Sequence, residues 1–355
     1  MKISVISFTK NGIDTSERIG KLASLSDKEV SIFTKYSGEK NSNAEYVDES
    51  ISDWAGKQFL SADAIIFIGA TGIAVRAIAP NLKDKLSDIP VIVIDELGQF
   101  VIPLLSGHVG GANELAISIA NDMNAQAVIT TATDINNKFA IDVFAKKNNL
   151  FIQNKDGIKA VSSKVLSGEK IIVSVDKNHI KDIANIPEEI ELADYPTGKR
   201  TDVIITDNPA LNNAELVLKP REYVLGIGCK KDKAFEDILS FLSECLDDAK
   251  IELSDLRAIA SIDIKKDEKA LNDLSHYLKI PFVTFSADEL MKVKGSFSSS
   301  DFVKETTGVD NVCERAALAY ADEISDKNIL SYKKHAKDGV TIAFARTDWK
   351  IDFYE

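Results

Sequence analysis

The sequence is poor in cysteine and contains no long apolar segment. Its three cysteines, Cys229, Cys245 and Cys313, are odd in number and widely spaced, which fits neither a disulfide framework nor paired zinc ligands. The longest apolar runs, such as 64–68 and 91–94, have only the length of a strand, whereas a membrane-spanning helix needs about 18 residues. We therefore expect a reducing compartment and a chain that does not span a bilayer.

Basic residues are outnumbered by acidic ones. The chain has 43 Lys and Arg against 55 Asp and Glu, which gives a formal net charge of -12. This balance argues against nucleic acid or an anionic membrane as the main partner, so an anionic ligand would need a locally basic pocket. Residues 1–8 have one Lys before a short apolar run and no small-residue cleavage site, which predicts a first strand, no signal peptide and a cytoplasmic location.

The motifs of several common chemistries are missing. The four histidines, His108, His179, His276 and His335, have no partner histidine at i+4 and no cysteine at ligand spacing, so no metal held by the protein is predicted. The Gly-x-Ser-x-Gly, Gly-x-x-x-x-Gly-Lys and protein-kinase signatures are absent too, which removes the commonest serine-hydrolase and nucleoside triphosphate routes.

Short β-branched runs alternate with amphipathic segments over the 355 residues, a length typical of two or three domains. This alternation predicts a multi-domain α/β fold with mainly parallel open sheets flanked by helices. Changes of composition divide the chain into three parts, residues 1–134, 135–220 and 221–346. The predicted strands are 2–8, 63–68, 90–94, 126–130, 170–175, 201–206, 222–228, 257–262 and 340–345, and the clearest predicted helices are 110–123 and 235–246.

The first motif is a glycine-bearing turn from a strand into a helix, Gly69-Ala70-Thr71-Gly72-Ile73-Ala74-Val75-Arg76. Such a turn presents backbone N–H groups and the positive end of a helix, which suit a carboxylate or phosphate, and Arg76 could add a bidentate contact. A tight βα turn with Arg76 in solvent is an equally weighted alternative. Asp95 and Glu96 lie about where a ribose-binding acid would sit in a dinucleotide-binding fold, so a nicotinamide-dependent Rossmann-type reductase is a rival function.

The second motif, Ser106-Gly107-His108-Val109-Gly110-Gly111-Ala112-Asn113, precedes a helix with one apolar stripe. Three glycines in five positions permit a ligand to approach the backbone closely, and the helix start again suits an anion. A loop histidine beside a helix N-terminus tends toward the neutral form, which favours His108 as a general base. A structural histidine is the alternative, and the three glycines make it the weaker one.

The third motif, Thr130-Thr131-Ala132-Thr133-Asp134, ends a predicted strand. In open α/β sheets the ligand crevice lies at the carboxyl ends of strands, so Thr131, Thr133 and Asp134 could orient a water molecule or a substrate oxygen. A helix N-cap is an equally weighted alternative, because Thr and Asp both cap well.

The last part of the chain repeats glycines and cations at strand ends. Gly226, Gly228, Lys230 and Lys231 follow this pattern at one strand, and polar residues from Asp263 to Lys265 follow it at another. They predict a further anion site, with solvated cations as the alternative. Farther on, Asn311 is a natural helix N-cap, and Glu314 three residues later resembles a capping box, which we favour over a catalytic role.

Together these motifs resemble the CbiG family, the cobalt-precorrin 5A hydrolases of anaerobic cobalamin (vitamin B12) biosynthesis. In the first part the resemblance rests on the motifs at 69–76, 105–113 and 130–134. In the last part it rests on Gly226-Ile227-Gly228-Cys229-Lys230, on residues 260–265 with Glu268, and on Thr307-Gly308-Val309 to Glu314. Order and spacing match along nearly the whole chain, although the middle part matches loosely. Asp232 departs from the pattern, because a glycine is expected after the basic pair.

The resemblance implies that water opens the δ-lactone joining the ring-A acetate to C20 of the contracted macrocycle, and that the C20 fragment leaves as acetaldehyde to give cobalt-precorrin 5B. This reaction needs a base, donors for the tetrahedral oxyanion and an acid. His108, Asp134 and Glu114 are the catalytic candidates that this chemistry favours. Cobalt would arrive inside the substrate, so no cofactor held by the protein is expected. A non-catalytic corrinoid carrier is a further alternative.

The expected partners are the anionic cobalt-corrinoid and neighbouring enzymes of the pathway, without nucleic acid or membrane. We expect the anion sites to be shared by one large ligand, since the substrate carries many acetate and propionate groups. The predicted substrate-binding residues offer N–H groups, hydroxyls, amides or charges, and they are Gly69, Thr71, Gly72, Arg76, Ser106, Gly107, Gly110, Gly111, Asn113, Thr131, Thr133, Gly226, Gly228, Lys230, Lys231, Asp263, Lys265, Ser300 and Thr307.

Overall fold

The structure is a computed structural model that describes residues 1–38, 43–84, 88–299, 305 and 307–354. Ser300, one of the predicted substrate-binding residues, lies outside the described residues. The chain divides by compactness into two units, Met1–Val143 and Phe144–Glu355. The predicted domain limits at residues 134 and 220 stay predictions, because one compact unit can contain more than one domain.

One mixed sheet forms the centre of the first unit. Its strands are β1 (Lys2–Ser7), β2 (Glu29–Thr34), β3 (Glu45–Tyr46), β4 (Ala64–Ile68), β5 (Val91–Ile94), β6 (Phe100–Leu105) and β7 (Gln126–Ala127). Their order in the sheet is β3-β2-β1-β4-β5-β6-β7, and neighbours run parallel except for the antiparallel pair of β5 and β6. The helices beginning in this unit are α1 (Lys10–Ile19), α2 (Ile51–Ser61), α3 (Thr71–Ile78), α4 (Ala112–Met123), α5 (Ala132–Ile135) and α6 (Ile141–Lys147).

The central strands of this sheet are apolar on both faces. Every residue of β4 and β5 is buried, as expected for strands that helices cover on either side. One core contains Ile66 and Ile92 with the apolar stripe of α4. The other contains Phe67 and Val93 with Trp54 of α2. Complete burial of such side chains stabilises the fold by about 1.5–3 kcal/mol each, so these strands hold the attached loops in fixed positions.

The strand register determines which motifs share an edge of the sheet. Leu105, the last residue of β6, pairs with Val91 at the start of β5. Ile68, the last residue of β4, pairs with Ile94 at the end of β5. The turn after β4 and the turn after β6 therefore leave opposite edges, separated by about 10 Å along the strands. The antiparallel pairing of β6 with β5 is the reason for this separation, and the sharing of one large ligand by the two turns stays a prediction.

The second unit contains two further sheets. One consists of β8 (Leu150–Ile152), β9 (Ile171–Ser174), β10 (Ile190–Ala193), β11 (Thr201–Ile205) and β12 (Ala214–Pro220), in the order β10-β9-β11-β12-β8. The other consists of β13 (Tyr223–Cys229), β14 (Leu256–Ile262), β15 (Phe282–Phe285), β16 (Asn328–Lys337) and β17 (Val340–Thr347), in the order β15-β14-β13-β17-β16. The helices are α7 (Asp156–Leu166), α8 (Phe235–Ala249), α9 (Lys269–Leu278), α10 (Ala287–Lys292) and α11 (Val312–Ile324).

The predicted fold class is confirmed, since the sheets are open, mostly parallel and flanked by helices. Each predicted strand overlaps an observed one, although the strand expected over 126–130 has ladder pairs only at Gln126–Ala127. Within the described residues, the sequence pattern missed eight strands, β2, β3, β6, β8, β10, β12, β15 and β16. The longest of these, β16, is an edge strand whose side chains mostly alternate between half-buried and exposed and include several lysines. Lysines are a common feature of edge strands and weaken the apolar signal on which strand prediction depends.

Candidate functional site

Two of the predicted motifs meet beside His108. Strands β6 and β7 are parallel neighbours, so the loops that follow them leave the same edge of the sheet. Nε2 of His108 lies 2.9 Å from Oδ2 of Asp134 and 2.9 Å from Oγ1 of Thr133. Asn113 donates from Nδ2 to Oγ1 of Thr131 at 2.6 Å and to Oδ2 of Asp134 at 2.8 Å. The predicted catalytic pair and three predicted binding residues therefore form one polar cluster.

Thr131 occupies the N-cap position of α5, yet its side chain makes no capping hydrogen bond. Its hydroxyl instead accepts the hydrogen bond from Asn113. Thr133 is buried and its hydroxyl contacts the imidazole. The alternative in which Thr131 serves as a side-chain cap is therefore wrong, and the hydroxyls are part of the cluster.

Asp142 adds a second carboxylate that the sequence analysis did not identify. Its Oδ2 lies 3.5 Å from Nδ1 of His108, on the side of the ring away from Asp134. The exposed fraction of the side chain falls from 41% for Asp134 to 9% for His108 and 3% for Asp142. The three side chains thus run from the surface into the interior of the first unit.

The two carboxylates affect the pKa of His108. Its pKa is raised above the ordinary value, mainly because Asp142 accepts a hydrogen bond from the ring and attracts its positive charge, with Asp134 adding to the effect. Partial burial works in the opposite direction and does not outweigh the carboxylates. The two nearby anions therefore act against the neutral form that a helix N-terminus favours, and the role of His108 as a general base stays a prediction.

The glycine-rich loop satisfies its own backbone at the start of α4. The N–H groups of Ala112 and Asn113 donate to the carbonyl oxygens of Ser106 and Gly107, both at 3.1 Å. Ser106 and Gly111 have positive φ angles of 58° and 87°, which fold the loop into this shape. Two N–H groups at this helix start are thus occupied within the protein, and the anion-binding role of the loop stays a prediction.

Packing accounts for two of the glycines in this loop. A Cβ atom on Gly110 would lie 2.6 Å from the carbonyl oxygen of Ser106. One on Gly107 would lie 2.6 Å from Oδ1 of Asn113. Side chains at these positions would displace the loop itself. Such variants would change ligand binding through the displaced loop, because the positions of the added Cβ atoms are already occupied by protein atoms.

The turn after β4 retains open backbone donors. Among the described residues no acceptor lies at the N–H groups of Thr71 and Gly72 at the start of α3. Arg76 is exposed and folds back so that Nη1 donates to the Gly72 carbonyl at 2.9 Å. The guanidinium therefore lies beside the first turn of the helix, which is compatible with its predicted anion-binding role. That role stays a prediction.

Asp95 and Glu96 have structural partners at this edge. Asp95 accepts hydrogen bonds from the N–H groups of Leu97, Gln99 and Phe100 and so stabilises the turn between β5 and β6. Glu96 accepts from the Thr9 hydroxyl at 2.7 Å. A ribose-binding acid would need a free carboxylate, so this arrangement disfavours the nicotinamide-dependent alternative.

The loop after β13 is fastened by a buried ion pair. Nζ of Lys265 lies 2.7 Å from Oε2 of Glu268, and their side chains are 13% and 7% exposed. Oε1 of Glu268 accepts from the N–H of Asp232 at 3.0 Å. Asp232 has a φ of 56°, in the left-handed region that favours glycine, which explains why a glycine was expected there. The positive charge of Lys265 is therefore paired with a carboxylate of the protein itself.

The remaining binding candidates in the last sheet differ in exposure. Gly226 is buried, and a Cβ there would collide with the Cys313 carbonyl of α11, so close packing explains this glycine. Gly228 is half-buried, Lys230 and Lys231 are exposed, and Asp263 begins a short turn after β14. Their role in substrate binding stays a prediction.

Glu314 has a different partner set from the expected capping box. Asn311 caps α11 by accepting from the Glu314 N–H at 2.9 Å. The fully buried Glu314 carboxylate accepts from the backbone N–H groups of Ser298 and Lys334, at 3.0 and 2.7 Å, and from Nδ2 of Asn311. It therefore joins a loop and strand β16 to the helix.

Thr307, another predicted binding residue, forms local hydrogen bonds with the backbone of Val309.

Glu114 lies on the exposed side of the first turn of α4, and its catalytic role stays a prediction. Within the described residues, no helix combines the length and the apolar character needed to cross a membrane.

A metal site is likewise absent from that same part of the chain. There, no group of three or more His, Cys, Asp or Glu side chains is arranged to hold a metal ion. Whether cobalt arrives only with the substrate stays a prediction.

Comparison with known proteins covers most of the chain. Three family models match in succession: Cobalamin synthesis G N-terminal over residues 53–134, the Cobalamin biosynthesis central region over 139–220, and Cobalamin synthesis G C-terminus over 223–345. A solved structure, that of a cobalamin biosynthesis protein G homolog from Sulfolobus solfataricus, shares 22% identity over 98% of this chain and 97% of that one, with a TM-score of 0.41.

Two curated relatives are similar over nearly their full lengths. The cobalt-precorrin-5A hydrolase of Salmonella typhimurium is 34% identical over 325 residues, which are 89% of this chain and 90% of that protein. The enzyme of the same name from Priestia megaterium is 28% identical over 361 residues, which are 96% of this chain and 94% of that protein. This chain therefore belongs to the CbiG family of cobalamin biosynthesis.

Proposed function

We propose that this protein opens the δ-lactone of cobalt-precorrin 5A with water and releases the C20 fragment as acetaldehyde, giving cobalt-precorrin 5B. Its family makes it an enzyme of cobalamin biosynthesis, a hydrolase like the curated relatives. The observation that carries the proposal is the contact of His108 with Asp134 at the shared edge of β6 and β7. A histidine paired with a half-exposed carboxylate can exchange protons with water and with a leaving oxygen.

Water addition would begin at Asp134, the exposed member of the pair. Asp134 and His108 take one proton from the water, and the hydroxide oxygen bonds to the lactone carbonyl carbon. The C=O π electrons move to the carbonyl oxygen and form a tetrahedral oxyanion. The Thr131 hydroxyl accepts a hydrogen bond from Asn113 and can donate its own hydrogen, so it is suited to stabilising this charge.

Lactone opening and carbon-carbon cleavage would follow from the same pair. The oxyanion re-forms the C=O bond as the bond between this carbonyl carbon and the lactone ring oxygen breaks, and the ring oxygen, left on C20 as an alkoxide, takes a proton from Nε2 of His108. A base then removes that hydroxyl proton again, C20 becomes the carbonyl carbon of acetaldehyde, and the electron pair of the broken C–C bond passes to the macrocycle, which takes up a proton. The raised pKa of His108 favours its protonated form, which suits the acid step once the ring has taken a proton from the water.

The substrate would meet the protein at this edge of the first sheet. Arg76, Lys230 and Lys231 are exposed, and each is a candidate partner for a carboxylate of the substrate. We infer that cobalt is carried by the substrate and that the enzyme works in the cytoplasm.

The first experiment measures the reaction itself. Purified protein is incubated anaerobically with cobalt-precorrin 5A, and acetaldehyde and the loss of the lactone are followed together. His108→Ala and Asp134→Asn should each lower the rate of acetaldehyde release by about 10²- to 10⁴-fold while substrate binding changes little. His276→Ala, at an exposed histidine of α9, is the matched control and should retain the wild-type rate.

The two rival functions give different results in this experiment. A non-catalytic carrier would bind the corrinoid and release no acetaldehyde. A nicotinamide-dependent reductase would show a saturable change in NADPH fluorescence and consume the nucleotide. Full activity of both His108→Ala and Asp134→Asn would move the catalytic site elsewhere in the chain.

A further inference from the structure

The two ring nitrogens of His108 face carboxylates in different environments. Nε2 lies 2.9 Å from Oδ2 of Asp134, whose side chain is 41% exposed. Nδ1 lies 3.5 Å from Oδ2 of Asp142, whose side chain is 3% exposed. The imidazole therefore separates a carboxylate at the surface from a carboxylate in the interior.

The interior carboxylate depends more strongly on a donor from the protein. A buried charge is destabilised unless hydrogen bonds replace its lost hydration, whereas an exposed carboxylate keeps contact with water. Oδ1 of Asp142 lies 3.1 Å from the Val143 N–H, and Oδ2 faces the histidine. Asp134 has solvent and the Asn113 amide, at 2.8 Å. When His108 loses one proton, the tautomer that keeps the remaining proton on Nδ1 is therefore favoured, because it leaves Asp142 with a donor.

The other ring nitrogen has a suitable donor for that state. Oγ1 of Thr133 lies 2.9 Å from Nε2, and a hydroxyl can donate to an unprotonated ring nitrogen or accept from a protonated one. Thr133 is 6% exposed, so this hydroxyl is held within the cluster. Nε2 can therefore gain and lose a proton without leaving an unsatisfied group.

We propose that Asp142 is a positioning residue that keeps one proton on Nδ1 of His108, so that Nε2 is the atom that exchanges a proton with Asp134 and the substrate. A base oriented by a second carboxylate is a recurring arrangement in nucleophilic and hydrolytic sites. The charged groups that face the ring from neighbouring elements are Asp134 of α5 and Asp142 of α6. The catalytic consequence rests on the proposed function, but the position of the proton is a property of the free protein.

The proton position can be measured without substrate. Protein labelled with ¹⁵N-histidine is titrated by NMR from about pH 5 to about pH 10, with His108 assigned by comparison with His108→Gln. In the neutral ring we expect the shift of a protonated nitrogen at Nδ1 and of an unprotonated nitrogen at Nε2. The opposite pattern would overturn the proposal.

Asp142→Asn separates the charge of this residue from its shape. Asparagine can still accept from Nδ1, but the titration midpoint of His108 should fall by about one pH unit because the anion is gone. Asp156→Asn, at an exposed first-turn aspartate of α7, is the matched control and should leave the midpoint in place. An unchanged midpoint in a folded Asp142→Asn protein contradicts the proposal. If this variant does not fold, the nitrogen shifts of the wild type decide.

Activity gives a separate readout. Asp142→Asn should lower kcat for acetaldehyde release by about 10²-fold with little change in KM, and the acid side of its pH profile should move with the His108 midpoint. A fall in kcat with an unmoved pH profile would count against the positioning role. Absence of acetaldehyde from the wild type would instead contradict the proposed function, and the NMR result would still judge the role of Asp142.

Discussion

Asn113 donates a hydrogen bond of 2.8 Å from Nδ2 to Oδ2 of Asp134, the same oxygen that lies 2.9 Å from Nε2 of His108. Asn113 is buried in the first turn of α4, and Asp134 belongs to the short helix α5. One carboxylate oxygen thus receives both an amide donor and the histidine. The position of Asp134 is therefore set by two side chains of the glycine-rich motif, which lie 26 and 21 residues earlier in the chain.

Replacing Asn113 by alanine should loosen Asp134 and slow the reaction. Asp134 would lose a fixed donor and Thr131 would lose its partner, so we expect kcat for acetaldehyde release to fall by about 10-fold to 10²-fold. The free energy of unfolding should fall by about 1–3 kcal/mol, because buried groups lose their hydrogen bonds. Asn121→Ala, exposed on the same helix, is the control. Wild-type kcat in Asn113→Ala would mean that Asp134 needs no such support.

The stabilising effect of His108 should depend on pH in a defined direction. Because its folded pKa is raised, the contribution to stability is full below the unfolded pKa of about 6.5 and is lost as the pH rises through the folded value. The difference in unfolding free energy between wild type and His108→Gln should therefore shrink toward alkaline pH. Denaturant unfolding at several pH values above about 5.5 measures this difference. A difference that grows with pH would contradict the raised pKa.

Gly110→Ala should affect folding as well as binding. Its Cβ would approach the Ser106 carbonyl oxygen to 2.6 Å, so the loop must shift, and we expect a loss of about 1–3 kcal/mol in unfolding free energy. Gly198→Ala is a suitable control, since a Cβ there meets no atom within 4 Å and should change stability by less than about 0.5 kcal/mol. If the Gly110→Ala protein has wild-type stability and fails to bind the corrinoid, this glycine contacts the ligand directly and the packing explanation is contradicted.

Glu314→Ala should destabilise the protein through the groups that it leaves unpaired. The part-buried N–H groups of Ser298 and Lys334 and the buried amide of Asn311 would lose their acceptor, which predicts a loss of about 1–3 kcal/mol in unfolding free energy. Glu323→Ala, exposed on the same helix, should have little effect. Thermal and denaturant unfolding of both variants measure this. Equal stability would mean that water or a rearrangement replaces the carboxylate.

The fold class and the local site motifs were predictable because they depend on short-range patterns. Apolar runs predicted the buried strands β4 and β5. Three glycines before a helix indicated His108, and polar residues at the end of a predicted strand indicated Asp134. The edge strand β16 was missed, since its lysines and exposed positions resemble a loop. Asp142 was missed because it lies in an unremarkable helix beyond the third motif, and nothing in its neighbouring sequence indicates the distant histidine.

By itself, the sequence determined the family, the buried strands and the two motifs that supply the candidate catalytic pair. Tertiary structure alone decided which motifs share an edge of the sheet, because the antiparallel pairing of β5 and β6 cannot be read from the strands separately. It also decided the direction in which the pKa of His108 shifts, since a pKa depends on groups within a few ångströms in space. Folding brings Asp142 to the imidazole, and its carboxylate raises the pKa of His108, whereas the helix start that the sequence shows favours the neutral form.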